Sequence, residues 1–270
     1  MRKRTITIQL IGAASDKSDV LLSDLIDRLG SIKKALRETE ITLSGSDEQF
    51  LDYKVVDLRH DSPATIVVQP IPFNGVVPDE LMDAVINNFA AELKNIKQKG
   101  ELLIDPDLAR LQAYLDIGSR QKGRIEKVKI RAGRSAVTID EKFTKKLDQI
   151  VGPDEFAHGM IAGMLDAINI HNTNRFTIYP PLGPKRVIGT FYPNLREQVK
   201  KAIGSFVTVS GKLRYKAWSP YPHGVIAEEI DIHEPDSKLP RLSELRGAFR
   251  GATGDLNSVE FVDRLRNEDW

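Results

Sequence analysis

The 270-residue chain contains no cysteine. This excludes disulfides, thiolate nucleophiles and cysteine-held zinc, and fits a reducing cytoplasm. An excess of either charge is also missing, since 39 lysines and arginines stand against 38 aspartates and glutamates. No global basic field of the kind that coats DNA exists, so any nucleic-acid site must be local. No apolar run approaches the roughly 20 residues that span a bilayer. The opening MRKRTITIQL passes from a basic start directly into an alternating strand, not a secretory segment. The expectation is a cytoplasmic protein with no membrane partner.

Histidine is scarce as well. The five are His60, His158, His171, His223 and His233, and no two stand at the three-to-five spacing of a metal site. Gly247, Gly251 and Gly254 lack both the preceding strand and the Lys-Ser/Thr of a phosphate loop. His60 with Asp57 and Asp61 is the nearest approach to a catalytic cluster, but polar turns of this kind are usually satisfied by local side-chain to backbone bonds. The chain therefore reads as a non-enzyme, with no cofactor and no metal expected.

What is present divides into two halves. Ile6, Ile8 and Leu10 alternate with Thr5, Thr7 and Gln9, which predicts a half-buried strand. Asp19 stands as an N-cap before a helix whose stripe is Leu22, Leu25, Ile26, Leu29, Ile32 and Leu36, with Arg28, Lys33, Lys34 and Arg37 on the solvated side. Residues 53–57 and 65–71 form an expected antiparallel pair. Helices follow from Pro78 (Leu81, Val85, Phe89, Leu93) and over 105–117 (Leu108, Leu111, Leu115). This gives an α+β domain at 1–118. A bridge at 119–150 comprises a basic hairpin, 124–131 and 136–139, and a short helix, and is free to pack on either domain.

Between 151 and 236 the order is strand, strand, strand, helix, strand, strand: 159–171, 175–179, 187–192, helix 194–203, then 206–216 and 225–233. That order predicts a five-stranded OB-like barrel, a platform that hosts many ligands. Residues 237–270 read as an interaction tail ending in a short helix, 258–266, with Ser258 as N-cap and the capping-box carboxylate missing. So short a stripe is unstable alone and needs a surface.

Two cationic clusters are candidate nucleic-acid contacts. On the fourth barrel strand Lys212, Arg214 and Lys216 alternate with Val209, Leu213 and Tyr215, and Arg175, Tyr179, Tyr192, Trp218 and Tyr221 add aromatic and cationic company. Single-strand binders interleave rings that stack on bases with cations that track phosphates. A solvated barrel exterior with aromatics plugging its ends has the same pattern. The second cluster is the basic stretch Arg120, Lys122, Arg124, Lys127, Lys129, Arg131 and Arg134, broken by the single acid Glu126. It suits a phosphate backbone, and equally an exposed hairpin paired with acidic helices. In the tail, Leu242, Leu245, Phe261, Val262, Leu265 and Trp270 are the expected partner-binding residues.

The segments His158–Gly163, Asn169–His171, Phe176–Tyr179, Val207–Gly211, Leu239–Leu242 with Leu245–Gly247, and Glu260–Val262 with Leu265–Arg266 resemble a group of uncharacterised bacterial two-domain proteins with an OB-like C-terminal barrel. The resemblance covers roughly the last 110 residues well and the first half in outline. It implies companionship with small PIN-type nuclease toxins, and hence an antitoxin-like or accessory role. The sequence reading is thus a non-enzymatic binding protein, with single-stranded nucleic acid on the barrel and a protein partner on the tail. The alternative is an antitoxin-like protein that neutralises a nuclease toxin by protein contact, and a hydrolase using His60, Asp57 and Asp61 is a third class.

Overall fold

The structure is a computed structural model that describes residues 4–12, 19–59, 63–118, 124–133, 135–171, 173–234, 243–244, 251 and 254–267. It is a mixed α+β architecture with two five-stranded sheets and six helices among these residues. Among the described residues no helix is long and apolar enough to cross a membrane. The chain divides into two compact units. The first runs as far as Glu155 and includes Lys216–Pro220; the second takes Phe156–Tyr215 and the chain from Tyr221 onward.

In the first unit the strands β1 (Ile6–Gly12), β2 (Leu51–Arg59), β3 (Ala64–Pro72), β4 (Ile125–Ala132) and β5 (Ser135–Ile139) form an antiparallel sheet ordered β2-β3-β1-β4-β5. The 119–150 segment is therefore no separate bridge in the fold, since β4 and β5 complete this sheet. Alternation dictates the layering. Ile6, Ile8 and Leu10 of β1, with Ile125, Val128 and Ile130 of β4, all lie in the core. Thr7 and Gln9 of β1 and Lys129 and Arg131 of β4 lie on the opposite face.

Four helices supply the rest of that core: α1 (Leu22–Ser44), α2 (Asp79–Lys99), α3 (Leu108–Gly118) and α4 (Glu141–Val151). In α2, Val85, Ile86, Phe89, Leu93 and Ile96 recur at three and four and are buried. Fully burying one such side chain contributes about 1.5–3 kcal/mol. The α4 start is well marked, because the Asp140 carboxylate accepts the Phe143 amide at 3.0 Å and also pairs with Lys97.

The stripe of α1 is rotated from the one the spacing suggests. Leu22 and Ile26 are exposed, while Arg28 is buried with its guanidinium donating to the carbonyls of Asp116 and Ile117 at 3.1 and 2.6 Å. These are last-turn carbonyls of α3, which lack helical partners and attract cations. The cap of α1 is Leu21, with no side-chain bond, rather than Asp19. A second buried polar group joins Thr39, Tyr114, Glu92 and Arg110. The tyrosine hydroxyl lies 3.2 Å from Glu92 and 3.0 Å from Thr39, and Arg110 stands 3.4 Å from the carboxylate. Burial pushes the Glu92 carboxyl up, outweighing the pull of Arg110.

The second unit holds β6 (Asp154–Asn169, whose first two residues fall in the first unit), β7 (Arg175–Tyr179), β8 (Val187–Phe191), β9 (Phe206–Lys216) and β10 (Gly224–Ile232). Between β8 and β9 a 3-10 turn at Pro193–Leu195 leads into α5 (Arg196–Ala202). The strand order is β10-β8-β7-β6-β9. β10 runs parallel to β8 and antiparallel to β9. Phe176, Ile178, Phe191, Val199, Val207, Val209 and Val225 build its core. β6 and β7 approach so closely at Gly163 that an added Cβ would lie 2.6 Å from the Tyr179 carbonyl oxygen. Only glycine fits there.

The tail contributes one small helix, α6 (Ser258–Asn267). Its cap lies one residue earlier than the sequence suggests: the Asn257 side chain accepts from the amides of Val259 and Glu260, and Glu260 accepts from the Asn257 amide. This is the complete reciprocal capping box that a Ser258 start had ruled out.

Candidate nucleic-acid interface

On β9 the period of two turns Val207, Val209 and Leu213 inward and sends Lys212 and Arg214 outward. The register across the β9–β10 hairpin then separates charge along its length. Lys212 faces Ile226 and Arg214 faces Gly224, whereas the acids Glu229 and Asp231 face Ser210 and Thr208. Neither cation has an acid directly opposite in the register; Glu228, in the bulge two places from Ile226, lies 3.8 Å from His158, and the far end of the hairpin is acidic.

Two contacts hold the cations in place. The Lys212 ammonium lies 4.5 Å from the centre of the Phe156 ring on β6, a cation–π contact worth about 0.5–1 kcal/mol at an exposed site. The Arg214 guanidinium lies against the Gly224 backbone, where an added Cβ would stand 2.5 Å from its Nη2. Its Nε is buried and has no hydrogen-bond partner among the described residues. A buried donor without an acceptor is costly, roughly 1–3 kcal/mol. An anion arriving there meets an arginine already held and desolvated on one side.

The other residues singled out from the sequence are only partly brought together. Arg175 is exposed on β7, two places from β9 in the strand order with β6 between, which is roughly 10 Å of sheet. It does not join the Lys212–Arg214 pair. Tyr179 closes β7 opposite Met164, both more than 40% exposed, and Tyr192 follows β8, also exposed. The rings and cations thus lie on different strands rather than interleaved.

Lys216 and Trp218 have structural duties in the first unit. Lys216 is only 8% exposed, donating to the Gly152 carbonyl at 2.7 Å and pairing with Asp154 at 2.8 Å. The Trp218 indole donates to the Val151 carbonyl at 3.2 Å and packs on the first core. Neither is presented to a ligand, because a desolvated ammonium needs the partners it has and the ring is half-buried.

The basic hairpin also belongs to the first unit. Arg124 donates its amide to Asp24 at 3.0 Å, and Lys127 pairs with Glu126 at 2.8 Å. Lys129 and Arg131 are exposed on β4. Arg120, Lys122 and Arg134 lie outside the described residues, as do Leu242, Leu245 and Trp270 of the tail and His60 and Asp61 of the polar turn. In α6, Val259, Val262 and Leu265 are 70, 41 and 46% exposed and Phe261 is half-buried.

Phe156 and Gly224 are the members that the sequence did not disclose. Phe156 meets Lys212 from 56 positions away, which no local periodicity reports. Among the described residues no group of three histidine, aspartate or glutamate side chains stands close enough to hold a metal ion. Compared with protein-family models, curated proteins and solved structures, the chain matches none.

Proposed function

We propose that this chain is a non-enzymatic binding protein whose second unit is an OB-like barrel that takes single-stranded nucleic acid. Support for the barrel comes from the order of its strands, the parallel β8–β10 pair, and α5 placed between the third and fourth strands. The observation that carries the ligand is the cationic end of the β9–β10 hairpin: Arg214, with its unpartnered buried Nε, beside a Lys212 seated on Phe156. Cations next to an exposed ring are what a strand of stacked bases and phosphates requires. Tyr179 and Tyr192 offer further stacking surfaces.

Fluorescence anisotropy with a labelled single-stranded oligonucleotide tests it. Lys212→Ala with Arg214→Ala is expected to weaken binding about tenfold and flatten its salt dependence. Affinity indifferent to both the substitutions and salt would contradict the reading.

A second reading rests on α6. A helix with a complete N-terminal capping box that exposes Val259, Val262 and Leu265 suits a partner's groove, in line with the antitoxin-like role that the resemblance implies. That reading requires no oligonucleotide affinity at all, so the same titration separates the two.

A further inference from the structure

The helices cover one face of the first unit's sheet, and the other face carries a polar row pattern of its own. The register aligns Thr7, Arg131 and Ala136 in one row across β1, β4 and β5, and Gln9, Lys129 and Thr138 in the next. Short side chains on β5 stand beside long cations on β4. The result is a shallow depression of about 180 Å³ whose polar lining is Thr7, Gln9, Lys129, Arg131 and Thr138. Among the described residues no carboxylate lines it. Elsewhere on this sheet Arg59 pairs with Asp57 at 2.7 Å and Lys127 with Glu126 at 2.8 Å. Lys129 and Arg131 have no ion-pair partner among the described residues.

We infer that this depression is a second phosphate-binding site, which holds the backbone of a single-stranded nucleic acid along β4. Lys129 and Arg131 are two residues apart on one side of a strand, roughly 6.6 Å, a pitch that suits neighbouring phosphates of an extended chain. The guanidinium offers a fork of donors to one phosphate and the ammonium a point charge to the next. Thr7, Gln9 and Thr138 add neutral donors, as hydroxyl and amide side chains do at backbone contacts that carry no sequence information. Among the described residues β1, β4 and β5 carry no aromatic ring, so the depression grips phosphates without reading bases.

The site shares its ligand with the proposed function but none of its residues, which allows the two to fail separately. In the full chain, labelled oligothymidine is titrated against the wild type, Lys129→Ala with Arg131→Ala, Lys212→Ala with Arg214→Ala, and Lys54→Ala, which removes an exposed cation from β2 of the same sheet. Loss of two phosphate contacts is expected to lower the slope of log affinity against log salt by about 1.4 and the affinity about tenfold. Lys54→Ala leaves both unchanged, and Thr138→Val weakens binding with no loss of charge. An unchanged slope in the Lys129/Arg131 variant, a loss in Lys54→Ala equal to that variant's loss, or binding of inorganic phosphate at constant ionic strength without any binding of the oligonucleotide overturns the inference. If only the Lys129/Arg131 variant loses affinity, the sheet face stands and the barrel reading falls. If only the Lys212/Arg214 variant does, the reverse holds.

Discussion

At the scale of single residues, what a side chain can offer a ligand depends on what already holds it. Lys212, Arg214 and Lys216 are equivalent in sequence, three cations at alternate positions of one strand. In the fold Lys216 is consumed by Asp154 and the Gly152 carbonyl, Lys212 rests on a ring, and Arg214 keeps a buried Nε without an acceptor among the described residues. Gly224 is what leaves room for that guanidinium. Gly224→Ala is therefore expected to push it off its seat and to weaken oligonucleotide binding severalfold. The added Cβ meets only the far end of a flexible side chain, so thermal stability should change little. A variant that melts like the wild type and binds like it would show that the seat is irrelevant.

At the scale of elements, apolar periodicity disclosed nearly every strand and helix, because core faces repeat at two or at 3.6 residues and leave that mark on the chain. It misjudged α1, where buried Arg28 serves the end of α3 from a position that a solvated stripe occupies equally well. It also placed the α6 cap at Ser258 when Asn257 and Glu260 form the box. Long-range partners write no local period, and for the same reason Phe156 stayed invisible as a seat for Lys212. The α4 cap is the element whose energetics are most open to test. Burial pushes the Asp140 carboxyl up, but Lys97 and the amides of Phe143 and Lys142 outweigh it and leave it below the ordinary carboxylate range. A depressed carboxylate contributes stability above its unfolded pKa and loses it as pH falls through the folded value. Asp140→Ala should cost about 0.5–2 kcal/mol near neutrality, and the gap from the wild type in urea unfolding should close in acid below that range.

At the scale of the whole molecule, each of the two units carries a cation pair that no acid of the described residues answers, one on β9 and one on β4, within a chain whose total charge nearly cancels. Near-neutrality excluded a general polyanion coat and left local patches as the one route to nucleic acid. The sequence showed both patches as charge runs. It did not show which members stay available, since Lys216 is taken up by Asp154 and Gly152 arriving from elsewhere in the fold. Bases stacked against the second unit beside Lys212 would be trapped by photocrosslinking of a bromouridine-substituted single strand to the intact chain, followed by peptide mapping. Adducts at Phe156 and at Tyr179 or Tyr192 are the predicted result; adducts confined to α6, or none under conditions where the strand is bound, would contradict it.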